Sequence, residues 1–323
     1  MKGDGPRVAF LFPGQGSQAV GMGRALYEAS AAVRALYAEA SDLLGLDLAA
    51  LSFEGPDEAL ELTANTQPAV LTASVAAATV LAERGVEPAL VAGHSLGEYS
   101  ALVVAGALAF GDAVRLVRRR GEFMQEAVPA GQGAMAAVLG LELPAVEACC
   151  REAAQGEVVE VANINSPVQV VIAGHRPAVE RAVRLAGQRG GRRSLMLPVS
   201  APFHCQLMAA AAERLALELA PVPVVAPRVP VVRNVDAGLT TSAEEVKPFL
   251  IRQVTAPVRW TDSIQRMATL GAITFLEVGP GRVLTGLLKR IDGDLAGHAV
   301  EDPEGLARAL AALSLVGSSN ASE

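Results

Sequence analysis

The segment Gly93-His94-Ser95-Leu96-Gly97, directly behind the apolar run Ala89-Leu90-Val91-Ala92, constrains this chain more than any other feature. Glycine, any residue, serine, any residue, glycine, set between a short buried strand and a helix, is the pattern of a nucleophile elbow, a sharp turn that projects a serine hydroxyl. It predicts a strand ending at Ala92, a helix beginning near Glu98, and Ser95 as candidate nucleophile. Gly93 and Gly97 suit such a turn because they let neighbouring backbone approach closely. The amide of Leu96 would point where an oxyanion forms. An ordinary glycine-containing strand-to-helix turn with a buried serine reads the same way, so the turn alone leaves the chemistry open.

A neutral serine needs a base, usually imidazole, and the chain holds 4 histidines: His94, His175, His204 and His298. His94 adjoins Ser95, so at an elbow its side chain points elsewhere. His175 sits in an exposed strand-to-helix connection, and His298 in a Gly-containing approach to the C-terminus. His204 lies in Val199-Ser200-Ala201-Pro202-Phe203-His204-Cys205, an extended Pro-containing segment ahead of an Ala-rich helix from about Leu207. It is the candidate base; the alternative is a histidine that caps the helix. A third triad member is missing. Between Ser95 and His204 the one aspartate is Asp112, which opens an amphipathic helix and reads as its cap. A serine-histidine dyad oriented by a carbonyl or amide fits better.

From Asp112 to about Val128, Ala113, Leu116, Val117, Phe123 and Met124 recur at helical spacing, and Arg120 falls on their stripe while Arg115, Arg118 and Arg119 fall mostly off it. Arginine is almost never buried without a partner, so Arg120 either forms an internal ion pair or waits in a cleft for an anion. Its planar fork suits a carboxylate.

The ordered segments Phe12-Pro13-Gly14-Gln15-Gly16-Ser17-Gln18, Asn65-Thr66-Gln67-Pro68-Ala69, Gly93-His94-Ser95-Leu96-Gly97-Glu98, Arg120-Gly121-Glu122-Phe123-Met124, Asn163-Ile164-Asn165-Ser166-Pro167, Pro202-Phe203-His204-Cys205 and Glu277-Val278-Gly279-Pro280-Gly281 resemble the malonyl-CoA:acyl-carrier-protein transacylases and the related acyltransferase domains of polyketide synthases. The resemblance implies that Ser95 becomes acylated, with His204 as general base and later acid. It implies that the main-chain carbonyl of Gln253 orients the imidazole, that Gln15 and Leu96 give oxyanion-hole amides, and that Arg120 binds the malonyl carboxylate. Asn163, Asn165 and Gln169 match positions near the acyl pocket, and the bulk of Phe203 matches malonyl selectivity. The implied substrates are malonyl-CoA and acyl carrier protein, with no metal or redox cofactor. A serine hydrolase acting on acyl thioesters is the alternative; it has no need of Arg120 on a buried stripe.

The order of elements predicts an α/β fold: an α/β-hydrolase-like large domain with a parallel sheet, from residues 1–130 and 198–315, interrupted at 131–197 by a ferredoxin-like small domain. The insertion reads strand 134–139, helix 144–154, strands 158–161 and 169–173, helix 177–187 and strand 194–197. Strands at 8–12, 90–92 and 274–277 belong to the large domain, and residues 316–323 form a polar, disordered tail. Apolar runs such as 101–110 are too short to span a bilayer, and no leader peptide is evident, so a cytoplasmic, monomeric enzyme is expected. Cys149, Cys150 and Cys205 have neither disulfide-framework nor metal-ligand spacing. The net charge of -7 argues against nucleic acid. It also repels an acidic carrier protein, unless Arg115/Arg118/Arg119, Arg189/Arg192/Arg193 or Arg282/Lys289/Arg290 offers a local basic surface.

Overall fold

In the computed structural model, which describes residues 7–199 and 201–319, two sheets divide the strands. The larger sheet runs β10 (Ala296–Val300), β9 (Ala272–Val278), β1 (Arg7–Phe12), β2 (Leu90–Gly93), β7 (Val231–Val232), β8 (Leu239–Thr240) in spatial order. Every pairing in it is parallel except β7 with β8, an antiparallel edge of two residues each. Helices cover both faces, as a parallel sheet requires. Along β1, Phe10 and Phe12 enter one core and Ala9 and Leu11 the other. The short β7 and β8, and β10 carrying His298, were not foreseen from the sequence.

The second sheet has the order β4 (Val159–Ser166), β5 (Gln169–His175), β3 (Gly133–Leu139), β6 (Arg193–Met196), antiparallel throughout. The helices Leu143–Ala154 and Arg176–Gln188 connect it in the expected β-α-β-β-α-β sequence. Alternation along β3 assigns its two faces. Ala134, Ala136 and Val138 pack under those helices with Val146, Cys149 and Val179, while Met135 and Ala137 join the large core. One face thus builds a local core and the other closes onto the large sheet. Backbone bonds join β4 to the rest of the molecule: Ile164 donates to the Val258 carbonyl and Val258 to that of Ala162, both at 2.9 Å.

Three expectations need correction. The C-terminal helix Pro303–Ser319 continues through residues expected to be a disordered tail, while 320–323 lie outside the described residues. Asp112 is no cap; the helix Phe110–Glu126 starts two residues earlier, and Asp112 faces Arg115 across 3.8 Å. His175 is half-buried, its Nδ1 accepting from the Val158 amide.

The motif at Glu277 has a structural function. Its fully buried carboxylate accepts from the Leu284 and Thr285 amides and the Thr285 hydroxyl, satisfying the first turn of the helix Val283–Ile291. Glu277→Ala should cost about 1–3 kcal/mol of stability, read by urea denaturation, by stranding those donors.

Candidate active site

β2 ends at Gly93 and the helix Gly97–Val104 begins four residues later, so the chain reverses within the elbow. Ser95 adopts φ 52°, the left-handed region that non-glycine residues rarely occupy. A Cβ on Gly93 would overlap the Gly97 carbonyl and one on Gly97 the Phe12 carbonyl, which is why both positions are glycine. Outside help holds the strain: the Ser95 amide donates to Asn234 Oδ1 at 2.7 Å, and Asn234 Nδ2 to the Gly93 carbonyl at 2.6 Å.

Ser95 Oγ lies 2.7 Å from His204 Nε2, and His204 Nδ1 lies 2.9 Å from the main-chain oxygen of Gln253. A carbonyl only accepts, so the proton sits on Nδ1 and Nε2 is left to accept from the serine hydroxyl. Burial, followed by the positive charge of Arg120, pushes His204 down to about 3, so the ring is neutral and competent as a base across the neutral range. His204 also has a left-handed backbone, at φ 60°. His94 points away, its Nε2 2.9 Å from Asn165 Oδ1 and its ring beside Trp260.

Arg120, 2% exposed, donates from Nη1 to Gln67 Oε1 at 2.8 Å and from Nη2 to Gln253 Oε1 at 3.0 Å and Ser95 Oγ at 3.2 Å. All three acceptors are neutral, and Nε has no partner among the described residues. Among the described residues Arg120 forms no ion pair of the kind weighed from the sequence. A buried cation next to the nucleophile, with a donor to spare, is a preorganised receptor for an anion.

These groups border a cavity of about 450 Å³ lined by Gln15, Leu96, Ser95, Arg120, Val199, Phe203 and His204, with Met135 and Asn163 from the second sheet and Leu197 just beyond it. Among the described residues, the amides of Ser95, Gly97 and Glu98 are spent on Asn234, His94 and Ser95 oxygens, whereas those of Gln15 and Leu96 have no acceptor. Two vacant donors beside a nucleophile suit a tetrahedral oxyanion. Asn165 does not line the cavity but braces His94, and Gln169 accepts from Arg290 at 2.5 Å. Sequence reasoning missed Asn234, and foresaw only the main chain of Gln253. A signal for Asn234 existed in a polar pair, Arg233-Asn234, set between the apolar Val231-Val232 and Val235.

The fold and site define an acyl-transferring serine enzyme, and residues 9–294 match the acyl transferase domain family, to which the chain belongs. It is 54% identical over 305 residues to the malonyl CoA-acyl carrier protein transacylase of Escherichia coli strain K12, covering 94% of this chain and 99% of that one. Its fold is similar to the crystal structure of an acyl carrier protein S-malonyltransferase from Vibrio cholerae, with a TM-score of 0.92 and 53% identity, covering 94% of this chain and 99% of that one. A malonyl-transacylase in complex with its type II polyketide-synthase acyl-carrier protein matches at a TM-score of 0.93 and 50% identity, over 95% and 99% of the two chains.

Proposed function

We propose that this protein moves a malonyl group from malonyl-CoA to the phosphopantetheine thiol of an acyl carrier protein through a malonyl-serine ester. The observation that carries the reading is Arg120: a buried guanidinium, facing only neutral acceptors, 3.2 Å from the hydroxyl of a Ser95–His204 pair. A serine hydrolase would use the same pair and has no use for that cation.

In the first half-reaction Ser95 Oγ attacks the thioester carbonyl carbon while its proton passes to His204 Nε2. The developing oxyanion accepts from the Gln15 and Leu96 amides. The carbon–sulfur bond then breaks, and coenzyme A leaves as its thiol with the proton from Nε2. In the second half the carrier thiol gives its proton to Nε2 and attacks the ester, and Ser95 Oγ departs with that proton. The balance closes: one thioester and one thiol enter, one thioester and one thiol leave, and Ser95 and His204 return to their starting states, so no cofactor is called for. All these groups come from one chain, in keeping with a monomer, and no helix among the described residues is long and apolar enough to cross a membrane.

The sheet order and parallel strands support an α/β-hydrolase-like large domain from 1–130 and 198–315, and the antiparallel order β4-β5-β3-β6 supports a ferredoxin-like unit at 131–197. For the carrier we favour the basic surfaces least consumed internally. Arg118 and Arg119 are tied to Glu122, Arg189 to Glu152 and Arg282 to Glu301, whereas Arg192, Arg193 and Lys289 form no ion pair among the described residues.

The test is intact-protein mass spectrometry. Malonyl-CoA alone should give one stable malonyl adduct, which moves to the carrier thiol when holo carrier protein is added; rapid loss of the adduct to water without carrier would identify a hydrolase. Arg120→Ala should lower kcat/KM for malonyl-CoA by about 2 to 4 kcal/mol, roughly 30- to 1000-fold, and leave acetyl-CoA unchanged or improved. Proportional losses for both substrates with a lowered Tm would make Arg120 a structural residue.

A further inference from the structure

Glu98, in the first turn of the helix Gly97–Val104, is a carboxyl only 3% exposed that touches neither the reacting hydroxyl nor the imidazole and does not line the cavity. Burying a carboxyl without an ion-pair partner is unfavourable, so its contacts need a reason. Its Oε2 accepts from Gln253 Nε2 at 2.7 Å and from the Asn234 amide at 3.1 Å. Gln253 in turn presents Oε1 to Arg120 Nη2 and its main-chain oxygen to His204 Nδ1. We propose that Glu98 is a positioning residue for malonyl selectivity, an acceptor that fixes which way the Gln253 side-chain amide faces and, through that amide, holds the Arg120 guanidinium beside Ser95.

The logic is one of donors and acceptors. A guanidinium only donates, so whatever faces it must be oxygen. The Gln253 amide meets that demand only if its NH2 end has acceptors elsewhere; Glu98 Oε2, at 2.7 Å, and the Ser95 carbonyl, at 3.0 Å, are the two nearest, with Asn234 Oδ1 farther off at 3.4 Å. Turned over, the amide would set NH2 against the guanidinium and its oxygen against Glu98 Oε2. Both side-chain hydrogen bonds of Glu98 among the described residues converge on Oε2, which leaves Oε1 to carry a proton. Burial, only partly offset by Gln253, Asn234, Arg120 and Arg233, raises the Glu98 carboxyl to about 7, and Oε2 accepts in either protonation state. The feature that matters is therefore the acceptor and its reach rather than the charge.

The proposal rests on Arg120 being the malonyl clamp, and substitution separates the two. Glu98→Leu, which removes the acceptor, and Glu98→Asp, which keeps the charge but withdraws it by one methylene, should each lower the malonyl-to-acetyl ratio of kcat/KM about tenfold. Glu98→Gln, which retains an oxygen in place, should restore the ratio to within about threefold of the parent. In an Arg120→Ala background Glu98→Leu should leave that ratio where Arg120→Ala alone puts it. A merely structural role would depress both substrates together. An unchanged ratio in Glu98→Leu, or a loss in Glu98→Gln as large as in Glu98→Asp, overturns the proposal while leaving the clamp standing. Arg120→Ala slowing both substrates alike overturns the clamp and the proposal with it. Should Glu98→Leu not fold, the contrast between Gln and Asp decides the same point.

Discussion

Ser95→Ala is expected to remove the malonyl adduct completely while leaving a folded protein. The substitution deletes one oxygen. That oxygen faces His204 Nε2 and Arg120 Nη2, and each side chain keeps another partner, the Gln253 main chain and the Gln253 and Gln67 side chains. The left-handed backbone at position 95 is held by Asn234 through main-chain groups, which alanine retains. No cysteine is placed to substitute as nucleophile: Cys149, Cys150 and Cys205 are buried, and burial pushes the Cys150 and Cys205 thiols up to about 12. Whatever thioester consumption survives should come from the oxyanion amides and substrate binding alone, without a covalent intermediate. Mass spectrometry and a thermal melt check both halves of the expectation. A stoichiometric malonyl adduct on a well-folded Ser95→Ala protein would take Ser95 out of the reaction.

How far the site was legible follows from the range of each interaction. The elbow is written locally, in glycines whose missing side chains make room for a turn of a few residues. Arg120 was legible because a helix has a period, and a charge on an apolar stripe stands out against it. The β-α-β-β-α-β unit was legible because alternation and helical spacing exchange in a regular order. The network beneath the site has no such signature. Asn234 meets Ser95 across 139 residues and Gln253 meets Glu98 across 155, and no periodicity links positions so far apart. For the same reason β7 and β8 stayed hidden, being two residues each and held in place by the strands beside them. Asp112 was misread because acidic residues favour both a cap and the first turn, and only the fold decides where the helix begins.

His204→Ala should slow acylation of Ser95 by about 10²- to 10⁴-fold, the usual contribution of a positioned general base. The competing reading, a histidine that caps the following helix, finds little support. Cys205 is the N-cap of the 3-10 turn Gln206–Met208, and the imidazole nitrogens of His204 are committed to Ser95 and the Gln253 carbonyl. Stability supplies a second readout. Because the pKa of His204 is depressed in the fold, its neutral ring is no handicap above the ordinary value of 6.5. As pH falls from there toward about 3, the unfolded chain takes up a proton that the folded one refuses, and stability is lost. Alanine cannot titrate, so the fall in Tm between neutral and acidic buffer should be smaller in His204→Ala than in the parent, even though the variant is nearly inactive at both. Rapid-quench measurement of the malonyl-serine ester, with melts at the two pH values, tests both effects. A variant that acylates at close to the parental rate would remove His204 as the base, whatever its melting behaviour.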